Sequence, residues 1–143
     1  MNKDEILRVI PHRPPMLFVD DIEEVVYKER VRGVKVVSAD EPWAQGHFPG
    51  DPVFPGTLMT ETMAQIGCFL YYHGSDTGVI RAYLSKLEDI KLLKTVRPGD
   101  RIIVEGSLVQ EFGDFSKIKC AATVNGEIVA KGFVTYFFPE GQR

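Results

Sequence analysis

The stretch HFPGDPVFPGTLMTETMAQ, His47 to Gln65, holds one histidine, one glutamate fourteen residues later, and a frame of prolines and glycines between them. A histidine takes up a proton near neutral pH and a carboxyl group can deliver one, so the two form a candidate base and acid. Pro49, Pro52 and Pro55 restrict the backbone while Gly50 and Gly56 permit turns, which predicts a rigid loop ending where a helix begins. Amides at Gly56 and Thr57 would then lie unpaired at a helix N-terminus, a setting that favours an oxygen gaining negative charge. A base, an acid and an anion hole are what α-carbon chemistry on a thioester needs. Removing the weakly acidic C–H proton creates an enolate oxygen, and expelling a β-hydroxyl requires proton donation.

The elements that must position these groups are legible around them. From Thr57 to about Tyr72 there is no proline, and Leu58, Met59, Met63, Ala64, Ile66, Phe69 and Leu70 cover most of a helical circumference. Such a helix belongs inside the protein, yet Thr57, Glu61 and Gln65 recur at four-residue steps as a polar stripe that Cys68 continues. A buried carboxylate without a partner costs several kcal/mol, so Glu61 has either a structural hydrogen bond or ion pair, or a chemical role. A short helix over Asp4 to Val9 must stop before Pro11, and Leu17 to Tyr27 and Arg30 to Val37 read as strands, the second kinked at Gly33. Four further strands are predicted: Ala82 to Leu93, Arg101 to Gln110, Phe115 to Val124 and Glu127 to Phe138. The last two are joined by Asn125-Gly126, a strong hairpin signal.

This order predicts an α+β chain with the hot-dog fold, a curved antiparallel sheet wrapped around one central buried helix, as a single domain over residues 1–143. An isolated sheet of this kind leaves edges open, so a homodimer that continues the sheet across subunits is expected. The net charge of −3 and the absence of a signal-length or membrane-length apolar run predict a soluble, cytoplasmic protein that binds neither nucleic acid nor membrane. Cys68 and Cys120 stand far apart with no local histidine partner, so no metal site is expected, and both read as reduced, buried residues.

These motifs carry a family resemblance. The stretch from Gly46 to Gln65 resembles the active-site signature of the β-hydroxyacyl-acyl carrier protein dehydratases of bacterial fatty-acid synthesis. Ile10-Pro11-His12-Arg13 with Val19-Asp20, and Val96-Arg97-Pro98-Gly99-Asp100, are similar to two further motifs of that family, so nearly the whole chain is covered. The resemblance implies that His47 and Glu61 are catalytic and meet across a dimer interface, and that the Gly56 N–H polarises the thioester carbonyl. It further implies that the Val53 carbonyl orients the histidine, that Gln65 supports the carboxylate, and that Phe48, Pro55, Met63 and Leu92 contact the substrate. The expected reaction is loss of water from a (3R)-hydroxyacyl thioester on acyl carrier protein, giving the trans-2-enoyl product, with no cofactor. The assembly would be a homodimer or a trimer of dimers. Glutamate at 61 resembles the plain dehydratase branch, since the isomerising branch usually has aspartate there, although Asp51 is a feature of that branch.

Lys86 and Leu92 depart from the family's usual glycine and phenylalanine along the acyl tunnel, which leaves the chain length open. His12 and His73 read as structural residues, supporting a turn and a helix end. Lys86, Lys91, Lys94, Arg97 and Arg101 form a loose basic series that could meet an acidic carrier protein or simply be a solvated face. Two other readings remain: a hot-dog acyl thioesterase, which would release free acid, and a non-catalytic acyl-thioester-binding subunit of a biosynthetic complex.

Overall fold

The computed structural model describes residues 1–139 and 143. Lys3–Val9 form helix α1, capped by the Asn2 side chain, which accepts from the Glu5 N–H at 2.9 Å. The strands are β1 (Asp21–Val26), β2 (Arg30–Val36), β3 (Tyr83–Leu92), β4 (Arg101–Phe112), β5 (Phe115–Val124) and β6 (Glu127–Phe137). Between β2 and β3 lie a 3-10 turn at Pro42–Gln45, helix α2 (Gly56–Gly67) and a 3-10 extension at Cys68–Tyr71. All six strands join one antiparallel sheet in the order β1-β2-β4-β5-β6-β3. The sheet curves around α2, whose Met59, Met63, Ala64 and Ile66 are buried against Ile22, Val31, Val104, Ile118 and Val134 in one core. This is the hot-dog arrangement that the helix's nearly continuous apolar surface demands. Among the described residues no helix is long and apolar enough to cross a membrane.

Two local expectations change. The strand expected from Leu17 begins only at Asp21, because the Phe18 N–H and the Met16 carbonyl bond to the Gln65 side chain on α2 instead of to a neighbouring strand. The kink expected at Gly33 falls on the opposite strand, where the register shifts between Ile22 and Glu24. Gly33 answers a packing need, since a Cβ there would lie 2.8 Å from Ile66 Cγ2. The Asn125-Gly126 hairpin forms as expected, with φ of 50° and 80° at the two turn residues.

The two edges of the sheet differ in kind. β1 carries Glu23 and Glu24, which pair with Arg32 and Arg30, and such charge discourages another strand from joining. β3 exposes Tyr83, Leu84, Leu87 and Leu92, each about half accessible, along an unpaired edge.

Candidate active site

His47 sits in a loop fixed by its own backbone. Its N–H donates to the Trp43 carbonyl at 3.0 Å, and its carbonyl accepts from the Val53 N–H at 2.7 Å. Phe48 and Asp51 exchange backbone hydrogen bonds in both directions, and the Phe54 N–H donates to the Val96 carbonyl at 2.7 Å. This lacing also aims the imidazole, because the Val53 carbonyl lies 2.8 Å from His47 Nδ1. A carbonyl only accepts, so Nδ1 carries a proton, and in the neutral ring this tautomer gives Nε2 the lone pair a base requires. The Phe48 ring stacks on the imidazole with centroids 4.3 Å apart.

Pro55, buried, precedes α2, and its carbonyl accepts from the Leu58 and Met59 N–H groups. The N–H groups of Gly56 and Thr57 have no acceptor among the described residues. They are the orphan donors expected at a helix start. A Cβ on Gly56 would lie 2.3 Å from Leu92 Cδ1, so glycine is what allows Leu92 to close over this position. His47, Gly56, Met59, Leu92, Val96 and Val129 line a cavity of about 260 Å³ whose walls mix apolar and polar surface.

Glu61 is held differently, by side chains. Gln65 Nε2 donates to Glu61 Oε1 at 2.9 Å and to the Met16 carbonyl at 2.8 Å, while Gln65 Oε1 accepts from the Phe18 N–H at 2.8 Å. The amide is 1% exposed and bridges α2 to the N-terminal segment. His12 Nε2 lies 3.6 Å from the same Glu61 Oε1, leaving Oε2 without a partner among the described residues. His12, Glu61, Gln65, Cys68, Leu84 and Tyr136 surround a cavity of about 20 Å³. Burial pushes the Cys68 thiol up to about 12 and the Tyr136 phenol well above its ordinary value, so both stay protonated at neutral pH. Burial also lowers the His12 pKa, with Glu61 opposing that shift and Arg13 adding to it.

The two cavities lie on different faces of α2. Gly56 and Met59 border the first and Glu61, Ala64 and Gln65 the second. At 100° per residue these sets point roughly 160° apart. Within one chain, therefore, His47 and Glu61 line separate cavities. Of the other predicted site residues, Val53, Phe48 and Leu92 stand with His47, and Gln65 stands with Glu61. Met63 is fully buried in the core and lines neither cavity, whereas Met59, one turn earlier, does. Sequence reasoning left out Met59 and Val129 and read His12 only as a turn residue, although Pro11-His12-Arg13 stood out as a motif. A larger cavity of about 710 Å³ beneath Tyr27, Tyr71 and Arg81 contains none of these groups. Among the described residues no cluster of three His, Cys, Asp or Glu side chains could hold a metal ion.

Residues 10–132 match the family model described as FabA-like domain. The chain is 40% identical over 131 residues to the 3-hydroxyacyl-acyl-carrier-protein dehydratase FabZ of Caldicellulosiruptor bescii, covering 92% of this chain and 94% of the relative. Identity to the dehydratase of the same name from Hydrogenobaculum sp. is 40% over 136 residues, covering 94% and 92%. Among solved structures, the dehydratase heterocomplex ApeI:P from Xenorhabdus doucetiae shares the fold with a TM-score of 0.77 at 18% identity, covering 95% of this chain and 91% of that one. A hypothetical thioesterase solved with coenzyme A from Streptococcus pneumoniae shares it with a TM-score of 0.65 at 18% identity, covering 86% and 87%. Coverage that extends nearly end to end at this identity leaves one assignment: the chain belongs to the 3-hydroxyacyl-acyl-carrier-protein dehydratases, within the FabA-like domain family.

Proposed function

We propose that the chain, a single domain over residues 1–143, removes water from a (3R)-hydroxyacyl thioester carried by acyl carrier protein, in a site that two copies of the chain build together. The observation that carries this reading is the His47–Val53 bond, which orients an imidazole in the cavity that Gly56, at the helix start, also lines. His47 Nε2 takes the α-proton as negative charge moves onto the thioester oxygen, and the Gly56 N–H meets that charge. Glu61 in its protonated form gives its proton to the β-hydroxyl, which leaves as water, and the double bond forms between the α- and β-carbons. No metal or redox group takes part in these steps. The apolar walls at Met59, Leu92, Val96 and Val129 suit an acyl chain.

The exposed edge strand offers the means of joining the two half-sites. Leu84, near the start of β3, borders the Glu61 cavity, and Leu92, at its end, borders the His47 cavity. Antiparallel pairing of β3 with the β3 of a second copy, centred midway at Glu88, sets the start of one strand against the end of the other. One chain's Glu61 side then faces the other's His47 side. Such pairing also covers the apolar residues that β3 exposes. Carrier docking falls to the basic groups at and around the His47 cavity. Lys94, Arg97 and Arg101 already pair with Glu127, Asp51 and Glu23, and Lys91 has no ion pair among the described residues.

The test is the intact mass of the acyl carrier after incubation with a panel of (3R)-hydroxyacyl chains. Loss of one water, abolished by Glu61→Gln, supports the reading. Release of free carrier protein would establish thioester hydrolysis instead, and an unchanged acyl mass across the panel would leave a binding role.

A further inference from the structure

The motif Pro11-His12-Arg13 is not used by the reaction outlined above, yet it brings an imidazole to the acid. Arg13 does not face Glu61. Its guanidinium donates to the Leu7, Ile10 and His12 carbonyls, closing the C-terminal end of α1 and fixing the backbone that carries His12. The imidazole reaches the Glu61 cavity, with Nε2 3.6 Å from Oε1, less than ~1 Å outside hydrogen-bonding range. Its Nδ1 is buried without a hydrogen-bond partner. The ring is neither a satisfied core histidine nor a free surface one, since about a quarter of the side chain remains open to solvent.

The titratable groups around His12 narrow what it can do. Glu61 and Cys68 face it from α2 and its extension, Tyr136 faces it from β6, and Arg13 adjoins it in the chain. Ala82, just before β3, and Leu84, near its start, bring no charge. Cys68 and Tyr136 keep their protons at neutral pH and Arg13 keeps its charge. A mobile proton in this cavity therefore resides on His12 or on Glu61.

Resting on the dehydratase reading, we propose that His12 returns a proton to Glu61 after each elimination, through the Nε2 that faces the half-buried carboxylate. Each turnover leaves an imidazolium at His47 and a carboxylate at Glu61. His12, protonated from water, passes its proton to Oε1, and a half-turn of the carboxyl group presents it to the next substrate, a torsion that is soft for glutamate. His47 releases the α-proton to solvent, so one proton leaves and one enters per cycle. Gln65 holds the carboxyl group and cannot carry a proton, which separates its part from that of His12.

The experiment compares wild type, His12→Ala and His12→Gln over a pH series, with and without added imidazole, after circular dichroism has shown the variants folded. His12→Ala should lose ~10²-fold in kcat, the lower edge of what a positioned proton donor contributes. KM should change little. Imidazole should restore kcat in proportion to its protonated fraction in His12→Ala and not in His12→Gln, where the side chain still fills the space. Loss that imidazole cannot repair, with an unshifted pH profile, would make His12 structural and overturn the proposal, as would a fully active His12→Ala. A folding-independent check is the His12 midpoint by imidazole NMR, read in a chain with three histidines. Glu61→Gln should lower it, and an unmoved midpoint would remove the coupling on which the relay depends. A wild-type enzyme that removes no water would instead overturn the dehydratase reading itself.

Discussion

The His47 and Glu61 cavities are built by opposite means. The His47 side is made of backbone: a laced loop, a carbonyl that orients the imidazole, and the first amides of a helix. The Glu61 side is made of side chains: an amide that spans three partners and an imidazole held by the turn after α1. In the proposed reaction the base and the oxyanion donor must stay fixed relative to the reacting carbon, and backbone hydrogen bonds provide that rigidity whatever the side chains are. An acid must be reloaded every cycle, which suits a carboxyl group that can turn and exchange its proton.

The largest effects come from removing the chemical groups. His47→Ala and Glu61→Gln should each lower kcat by ~10²–10⁴. Mixing the two inactive proteins after unfolding and refolding them together should restore about a quarter of wild-type activity, because half the dimers are mixed and one of their two symmetric sites is intact. A mixture that stays inactive would place both groups of a working site in one chain.

Next in size is the helix start. Gly56→Ala should reduce kcat/KM far more than it reduces stability, since the added methyl meets only the side chain of Leu92 while crowding the N–H proposed to receive the thioester oxygen. The double variant with Leu92→Ala should recover packing but not full activity. Recovery of both would mean that the glycine serves Leu92 alone.

On the side-chain half, Gln65→Ala strands the buried Phe18 N–H and should cost ~1–3 kcal/mol for it, while the more exposed Met16 carbonyl can turn to water. Activity should fall as well, because Glu61 loses its anchor. Chemical denaturation alongside turnover measures the two together. A loss of activity without loss of stability would deny the bridging role.

The smallest effect is on acid stability. Burial lowers the His12 pKa below its ordinary 6.5, so the unfolded chain binds more protons over that window. The contribution is complete above about 6.5 and is lost as the pH falls through the folded value. Partial exposure keeps it modest. His12→Gln should therefore lose less stability than wild type between pH ~7 and ~5, and parallel curves would show that the ring is solvated in the folded state.

Much of this was legible in the chain before folding. Local rules cover the proline-glycine loop, the Asn125-Gly126 turn and the apolar helix with its polar stripe, because turn chemistry and helical periodicity act over a few residues. Glu61 and Gln65, four apart, could be read as neighbours on one helix face, and they are bonded. Met63 shows the limit of such reading, since an apolar residue on a helix buried nearly all round could face the core or a cavity, and packing chose the core for it and the cavity for Met59.

Sequence by itself determined the chemical groups, their spacing and the elements that carry them. Tertiary structure alone decided that β3 pairs with β6 and lies at an open edge, that Gln65 draws Phe18 away from the sheet, that His12 reaches Glu61, and that His47 and Glu61 face apart around α2. The reason is one of range: hydrogen-bond periodicity and turn propensity are properties of adjacent residues, whereas contacts across 49 residues, like that from Glu61 to His12, exist only once the whole sheet has closed around the helix.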